Sequence, residues 1–257
     1  MYWVRPLLAL VVSFLYVASI YCYQPNTLKG RHRDENVVIK HRLKRVSIAC
    51  FVATVLVLVV LVHLGTYSGY AAVFRALQLK YNGQALANCI LSMSVLYCGP
   101  LINQVKQATL ADNLRDCLCL QGFRDYIFAP LTEEYIYRAL VLTILEPQGD
   151  HKFLIIFTPL LFGIAHLHHG YELYHVQKRG MFETFVIITV QFIYTTLFGI
   201  LENYVFFKYS NLITCVMVHS LCNFMGFPDF NVEGSTPYKL VYYSLMIIGA
   251  YLFFKLL

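Results

Sequence analysis

Charged residues are scarce in this chain of 257 residues, where Asp, Glu, Lys and Arg together make up only 13%. Hydrophobic residues make up 58%, and the mean hydropathy is +0.59. A soluble domain of this size needs a charged surface over its core, and too few charges remain to provide one. The composition therefore predicts an all-α, polytopic transmembrane helical bundle with an intramembrane cavity.

The sequence also lacks paired cysteine motifs, although it contains eight cysteines. Cys117 and Cys119 form a C-x-C, and no second pair follows at the spacing of a metal site. The other six lie in apolar segments, where cysteine acts as a small hydrophobic residue: Cys22, Cys50, Cys89, Cys98, Cys215 and Cys222. We therefore predict no disulfide framework, no metal site and no cofactor.

The motifs of three classes of membrane peptidase are missing as well. The chain has no His-Glu-x-x-His for a zinc enzyme, and Ser68 and Asp150 lack the glycine patterns of rhomboid and aspartyl sites. A thiol mechanism is one alternative, since Cys215 and His219 are spaced i,i+4. It is disfavoured because no cation near Cys215 in the sequence lowers the pKa of its thiol.

The apolar runs are long enough for several membrane segments, since a spanning helix needs about 20 apolar residues. Residues 1–23 are interpreted as a retained span because no small-residue cleavage site follows the apolar run. One domain is predicted over 1–257, with the motifs concentrated between about 124 and 228. We place eight segments at about 6–23, 46–64, 86–103, 124–146, 153–169, 183–208, 211–226 and 238–256.

A basic loop at 24–45 sets the predicted orientation. It contains Lys29, Arg31, Arg33, Lys40, Arg42, Lys44 and Arg45. Because lysine and arginine accumulate in cytoplasmic loops, we expect this loop to face the cytosol and the N-terminus to lie on the opposite side. The net charge of +6 falls between apolar runs and forms no stripe, so the lipid bilayer is expected as a partner and nucleic acid is not.

Ionisable residues inside the middle segments are the strongest functional feature. Glu133, Glu134 and Arg138 follow Pro130, which suits the first turn of a helix. Glu134 and Arg138 are spaced i,i+4 and can pair, whereas Glu133 points about 100° away. One carboxylate is thus neutralised and the other is available for proton transfer.

Histidines and an asparagine supply the remaining polar groups. Phe162 and His166 are four residues apart on one helical face, as are His219 and Asn223. His168 and His169 are expected at the membrane interface, because three histidines at i, i+2 and i+3 do not converge on a metal.

Together these residues predict hydrolysis by an activated water. Glu133 acts as the base and His166 orients the water, while His219 and Asn223 donate hydrogen bonds to the developing oxyanion. Two other classes fit intramembrane charges. One is a proton-coupled or ion transporter that uses Glu133, His166, Glu202 and His219 as its path, and the other is a non-catalytic membrane scaffold of the same fold.

Three strings resemble those of the CAAX prenyl endopeptidases of the Ras-converting type, within the glutamate intramembrane protease family. The family's glutamate pair and arginine are similar to Glu133, Glu134 and Arg138. Its Phe-x-x-x-His is similar to Phe162 and His166, and its His-x-x-x-Asn to His219 and Asn223. The likeness is densest from about 124 to 228 and covers the first hundred residues mainly in hydropathy.

This resemblance implies a specific reaction. The family removes the last three residues of farnesylated or geranylgeranylated CAAX proteins, such as small GTPases of the Ras and Rho kind. It implies an endoplasmic reticulum membrane protein without a catalytic metal, whose site is accessible from the cytosol. Glu133, His166, His219 and Asn223 are then catalytic, and Glu134, Arg138 and Phe162 support them.

Overall fold

The computed structural model describes residues 3–22 and 24–257. Across these residues the secondary structure is helical, with no β-strand. The chain forms two compact units, Met1–Lys80 with Leu131–Leu212 and Tyr81–Pro130 with Ile213–Leu257. The all-α prediction is confirmed, and the single domain stays a prediction.

The first unit carries Glu133, Glu134 and Glu202 and eight of the nine histidines. We call Val4–Tyr21 the first helix, Pro159–His166 the histidine helix and Met181–Tyr209 the long helix. The glutamate helix is α-helical Ala129–Glu134 with π-helical Tyr135–Leu140 and α-helical Val141–Leu145. The other helical elements of the first unit are Asn26–Leu28, Asn36–His63, Tyr70–Ala76, Glu146–Gln148, His151–Phe157, His169–Tyr171 and Glu172–Val176.

The second unit contains shorter helices. A π-helical segment, Arg124–Phe128, directly precedes Ala129–Glu134. Helical backbone therefore begins upstream of Pro130, and the helix does not start at this proline as the sequence suggested. The other elements are Gly83–Leu96, Cys98–Lys106, Leu110–Asp116, Leu120–Phe123, Leu212–Met225 and Thr236–Leu256.

Over residues 3–22 and 24–257, each of the eight predicted segments falls on helical elements, but a count of eight spans is not confirmed. Gly83–Leu96 and Cys98–Lys106 are bent by 63° and make one span only if taken together. Leu212–Met225 is apolar but shorter, and 124–146 consists of short α and π pieces. Within the described residues, five helices are long and apolar enough to cross a bilayer: Val4–Tyr21, Asn36–His63, His151–Val176, Met181–Tyr209 and Thr236–Leu256. By length and composition, the described part of the chain thus contains five or six candidate spans, as in a multi-pass membrane protein.

Two departures from the predicted boundaries have local causes. The bend at Tyr97 comes three residues before Pro100, whose ring and missing N–H disrupt the bond to the carbonyl of Leu96. Helix Asn36–His63 begins ten residues before the predicted segment because lysine and arginine favour helix and extend it into the basic loop.

The first helix is an integral part of the first unit. It packs against Asn36–His63, the glutamate helix and the histidine helix. The hydroxyls of Tyr16 and Thr132 are 3.0 Å apart and share a buried hydrogen bond. The predicted segment at 6–23 falls on this helix, and its retention stays a prediction; its predicted last residue, Tyr23, lies outside the described residues.

Close packing of the histidine helix against the long helix depends on glycines. A Cβ at Gly163 would lie 2.1 Å from the Thr196 hydroxyl, and one at Gly199 would lie 2.8 Å from Cβ of Pro159. Both distances are too short for a larger residue without movement of the neighbour. The two helices thereby hold Phe162 and His166 in a fixed position.

Candidate active site

A buried ion pair occupies the centre of the glutamate helix. Nε of Arg138 lies 3.1 Å from Oε2 of Glu134, and the two side chains are 1% and 0% exposed. The pair spans the start of the π-helical segment, a feature that often marks functional sites. The i,i+4 pair expected from the sequence is therefore present, and each buried charge has its counter-ion.

The guanidinium of Arg138 joins three helices. It also donates to the carbonyl of Gly199 at 3.4 Å on the long helix and lies 4.7 Å from the ring centre of Phe162 on the histidine helix. Removal of one partner from a buried pair leaves an uncompensated charge, which is costly in an apolar interior. Arg138 therefore fixes the position of the glutamate helix relative to the histidine helix.

Glu133 precedes this pair and has a different environment. Its side chain is only partly buried, whereas Glu134 is fully buried. Its charge interacts electrostatically with the phenols of Tyr16, Tyr137 and Tyr194, which come from three different helices. Glu133 thus influences phenols on three helices and keeps part of its side chain exposed.

The hydrogen bond of His166 defines the chemistry of its ring. Nδ1 lies 2.8 Å from the carbonyl oxygen of Phe162, one turn earlier. A carbonyl oxygen only accepts, so Nδ1 carries the hydrogen and the neutral ring keeps its lone pair on Nε2. The ring also contacts Phe162 edge-on at 4.6 Å between centroids. His166 can therefore accept a hydrogen bond from water through Nε2.

The neighbouring histidines have their own partners. Nδ1 of His168 bonds to the carbonyl of Ala165, and Nδ1 of His169 accepts from Nε2 of Gln191 at 2.8 Å. Both rings are only partly exposed. Each Nδ1 is thus engaged by protein.

Glu202, left unexplained by the sequence, lies beside the Glu134–Arg138 pair. It is fully buried on the long helix, and carboxylate oxygens of Glu134 and Glu202 lie within 4.8 Å of one another. Two carboxylates therefore lie close together in the same interior, where Arg138 neutralises Glu134.

His219 and Asn223 lie in the second unit, one turn apart on helix Leu212–Met225. His219 is buried, with 5% exposure, whereas Asn223 is exposed. One N–H of the Asn223 amide donates to the carbonyl of Asp125 at 2.9 Å, which orients the amide group. The second N–H of that amide makes no hydrogen bond to another described residue, so it is the donor available to a ligand.

Three site tyrosines were missed in the sequence, for different reasons. Tyr137 is four residues after Glu133, so the i,i+4 rule would have placed it on the same face. Tyr16 and Tyr194 lie in plain apolar runs far from the motifs, and no local pattern marks them.

The matched family model covers the segment that holds all four predicted catalytic residues. Residues 116–225 match the model described as type II CAAX prenyl endopeptidase Rce1-like. No solved structure is significantly similar to this chain. Neither the family model nor the relatives below support the transporter alternative.

Curated relatives match over most of their length. CAAX prenyl protease 2 of Saccharomyces cerevisiae is 33% identical over 255 residues, which covers 86% of this chain and 79% of that protein. The human protein of the same name is 30% identical over 270 residues, or 99% of this chain and 80% of that protein. The Caenorhabditis elegans protein is 26% identical over 227 residues, covering 83% and 80%. The chain belongs to the type II CAAX prenyl endopeptidase family.

Proposed function

We propose that this chain is an intramembrane endopeptidase that removes the C-terminal aaX tripeptide from farnesylated or geranylgeranylated CAAX proteins. Family membership and the names of its relatives supply the reaction class. The observation that carries the mechanism is the contrast between two adjacent carboxylates. Glu134 is neutralised by Arg138, while Glu133 is partly exposed and interacts electrostatically with three phenols.

Glu133 is the proposed base. It takes a proton from a water whose other hydrogen is accepted by Nε2 of His166, and the water oxygen attacks the carbonyl carbon of the scissile peptide bond. The π electrons of the C=O bond move to the carbonyl oxygen, which becomes the oxyanion of a tetrahedral intermediate. The proton on Glu133 then passes to the leaving nitrogen as the C–N bond breaks, so the base returns to its starting state. No nucleophilic side chain and no metal takes part.

His219 and Asn223 are the proposed oxyanion donors. An N–H group placed for the developing charge contributes more to the transition state than to the ground state. The second N–H of the Asn223 amide suits this role, since the first is held by Asp125. For His219 the role requires that one ring N–H face the substrate.

A membrane location suits such a substrate. A buried acyl or prenyl chain contributes about 0.8 kcal/mol per CH₂ to membrane binding, so the substrate concentrates at the bilayer. CAAX motifs are prenylated in the cytosol. We place the enzyme in the endoplasmic reticulum membrane with its site accessible from the cytosolic side, which the basic loop at 24–45 would share.

A purified-protein assay tests this function. The protein in detergent is given a farnesylated C-a-a-X peptide and the same peptide without the lipid, and release of the tripeptide is followed by mass spectrometry. We expect cleavage after the modified cysteine, faster for the lipidated peptide and unchanged by a chelator. Absence of cleavage would favour a non-catalytic scaffold, and chelator inhibition reversed by zinc would contradict the metal-independent mechanism.

A further inference from the structure

A cavity of about 420 Å³ lies in the first unit, near the C-terminal end of the first helix. One wall comes from the segment that follows the histidine helix, and another comes from the basic loop. The lining of the cavity includes Tyr21, Lys29, Arg31, Arg42, His168 and Glu172.

The charge in this cavity is positive. Three cationic side chains and one carboxylate, Glu172, line it, which gives a formal charge of +2 with histidine neutral. Arg42 is committed to Glu172 at 3.5 Å, and Arg31 to Glu35 at 3.2 Å on the exposed side. The ammonium group of Lys29 makes no hydrogen bond or ion pair with another described residue. The cavity therefore offers an ammonium group and a partly exposed guanidinium to an anion.

Glu172 holds the cavity in shape. Its side chain is 5% exposed, and its Oε1 accepts from the backbone N–H of Arg33 at 3.2 Å. With the Arg42 contact, this carboxylate ties the basic loop to the segment after the histidine helix. Arg42 is thus held in the cavity by a buried group, and the loop that carries Lys29 and Arg31 is anchored beside it.

The cavity lies close to His166 along the backbone. His168, in its wall, is two residues later, and Leu167 and His168 have helical backbone angles. Two helical residues rise about 3 Å along the axis. Three extended residues span about 10 Å. The aaX tail of a substrate cleaved at His166 therefore has to end within about that distance of the scissile bond, and the cavity begins at a residue that follows His166 by two positions.

We infer that this cavity binds the C-terminal carboxylate of the substrate's aaX tail, with Lys29 and Arg31 as its recognition residues. The inference rests on the proposed function. Charge-assisted hydrogen bonds from ammonium and guanidinium groups are the strongest that a carboxylate makes. Such a contact measures the distance from the scissile bond to the chain terminus, so it selects cleavage that releases three residues.

The test compares a farnesylated C-a-a-X peptide that ends in a free acid with the same peptide ending in a carboxamide. We expect the wild-type protein to cleave the acid on the order of tenfold faster in kcat/KM. The Lys29→Gln/Arg31→Gln double variant should bring that ratio close to one. Arg42 is left in place because its loss would unpair the buried Glu172.

The control is Lys40→Gln/Lys44→Gln, which removes two exposed charges of the same basic loop outside the cavity wall. It should keep the wild-type acid-to-amide ratio. Equal cleavage of acid and amide by the wild type, or an unchanged ratio in the cavity variant, would overturn the inference while the proposed function stands. If neither peptide is cleaved, the proposed function fails, and the inference that rests on it falls as well.

Discussion

Nδ1 of His166 lies 2.8 Å from the carbonyl oxygen of Phe162 and leaves Nε2 of the neutral ring as the acceptor. One backbone bond thus selects the tautomer that a water-activating histidine requires. It also explains why the residue four positions earlier belongs to the motif. Phe162 supplies the carbonyl to His166 and its ring to Arg138.

The first prediction separates the two nitrogens of His166. An asparagine side chain can retain the bond to the carbonyl of Phe162 but has no group in the position of Nε2. We expect His166→Asn to keep the fold and to lose on the order of 10²–10⁴ in kcat, as for other general acid–base groups. Peptide cleavage and thermal unfolding measure the two effects. His63→Asn, at an exposed histidine, is the control; near-normal cleavage by His166→Asn would remove Nε2 from the mechanism.

The second prediction concerns the buried ion pair. Arg138→Met leaves Glu134 without its counter-ion, and we expect the free energy of unfolding to fall by about 3–5 kcal/mol. The double variant Glu134→Gln/Arg138→Met removes both charges and should recover part of that loss. Reversible denaturation in mixed micelles provides the measurement.

Its control is Arg179→Met, which breaks the exposed pair between Arg179 and Glu183. An exposed i,i+4 pair contributes well under about 1 kcal/mol, so this variant should unfold almost as the wild type does. Equal losses for Arg138→Met and Arg179→Met would show that the buried pair is not structural.

Much of this architecture was readable from the sequence, because its causes are local. Apolar runs located the helices, and the i,i+4 rule gave the contact between Glu134 and Arg138. The electrostatic effect of Glu133 on the phenols of Tyr16 and Tyr194 could not be predicted from the sequence, since these residues are far apart in the chain and approach one another only after packing. The cavity lined by Lys29 could not be predicted from the sequence for the same reason. The basic loop was interpreted only as a determinant of membrane orientation.

A third prediction tests the hydroxyl of Tyr137. This group is buried and makes no hydrogen bond to another described residue, and the phenol lies within the electrostatic field of Glu133. Tyr137→Phe should not lower the stability, because it removes an unsatisfied buried group. We expect cleavage to slow by about tenfold, since the hydroxyl is available to the reacting water or the substrate.

Tyr135→Phe is a matched comparison on the same helix. Its hydroxyl is 2.6 Å from that of Thr54, so its loss should cost about 0.5–1.5 kcal/mol of stability and leave the rate nearly unchanged. If both variants cleave at the wild-type rate, Tyr137 has only a packing role.

The fourth prediction concerns the oxyanion. Asn223→Ala removes a proposed donor and should reduce kcat by about 10²–10³ with little effect on KM. Asn231→Ala, at an exposed asparagine, should cleave normally. A loss of only a few-fold in Asn223→Ala would mean that this amide serves mainly its bond to the carbonyl of Asp125.

The most direct test of the account is the rate of Glu133→Gln on a farnesylated C-a-a-X peptide, measured beside Glu183→Gln. Glutamine keeps the size of the side chain and cannot act as a base, and Glu183 is an exposed glutamate on the long helix. We predict that Glu133→Gln folds and loses on the order of 10²–10⁴ in kcat, while Glu183→Gln cleaves as the wild type does. Cleavage by Glu133→Gln at a near-normal rate would contradict the assignment of this carboxylate as the base.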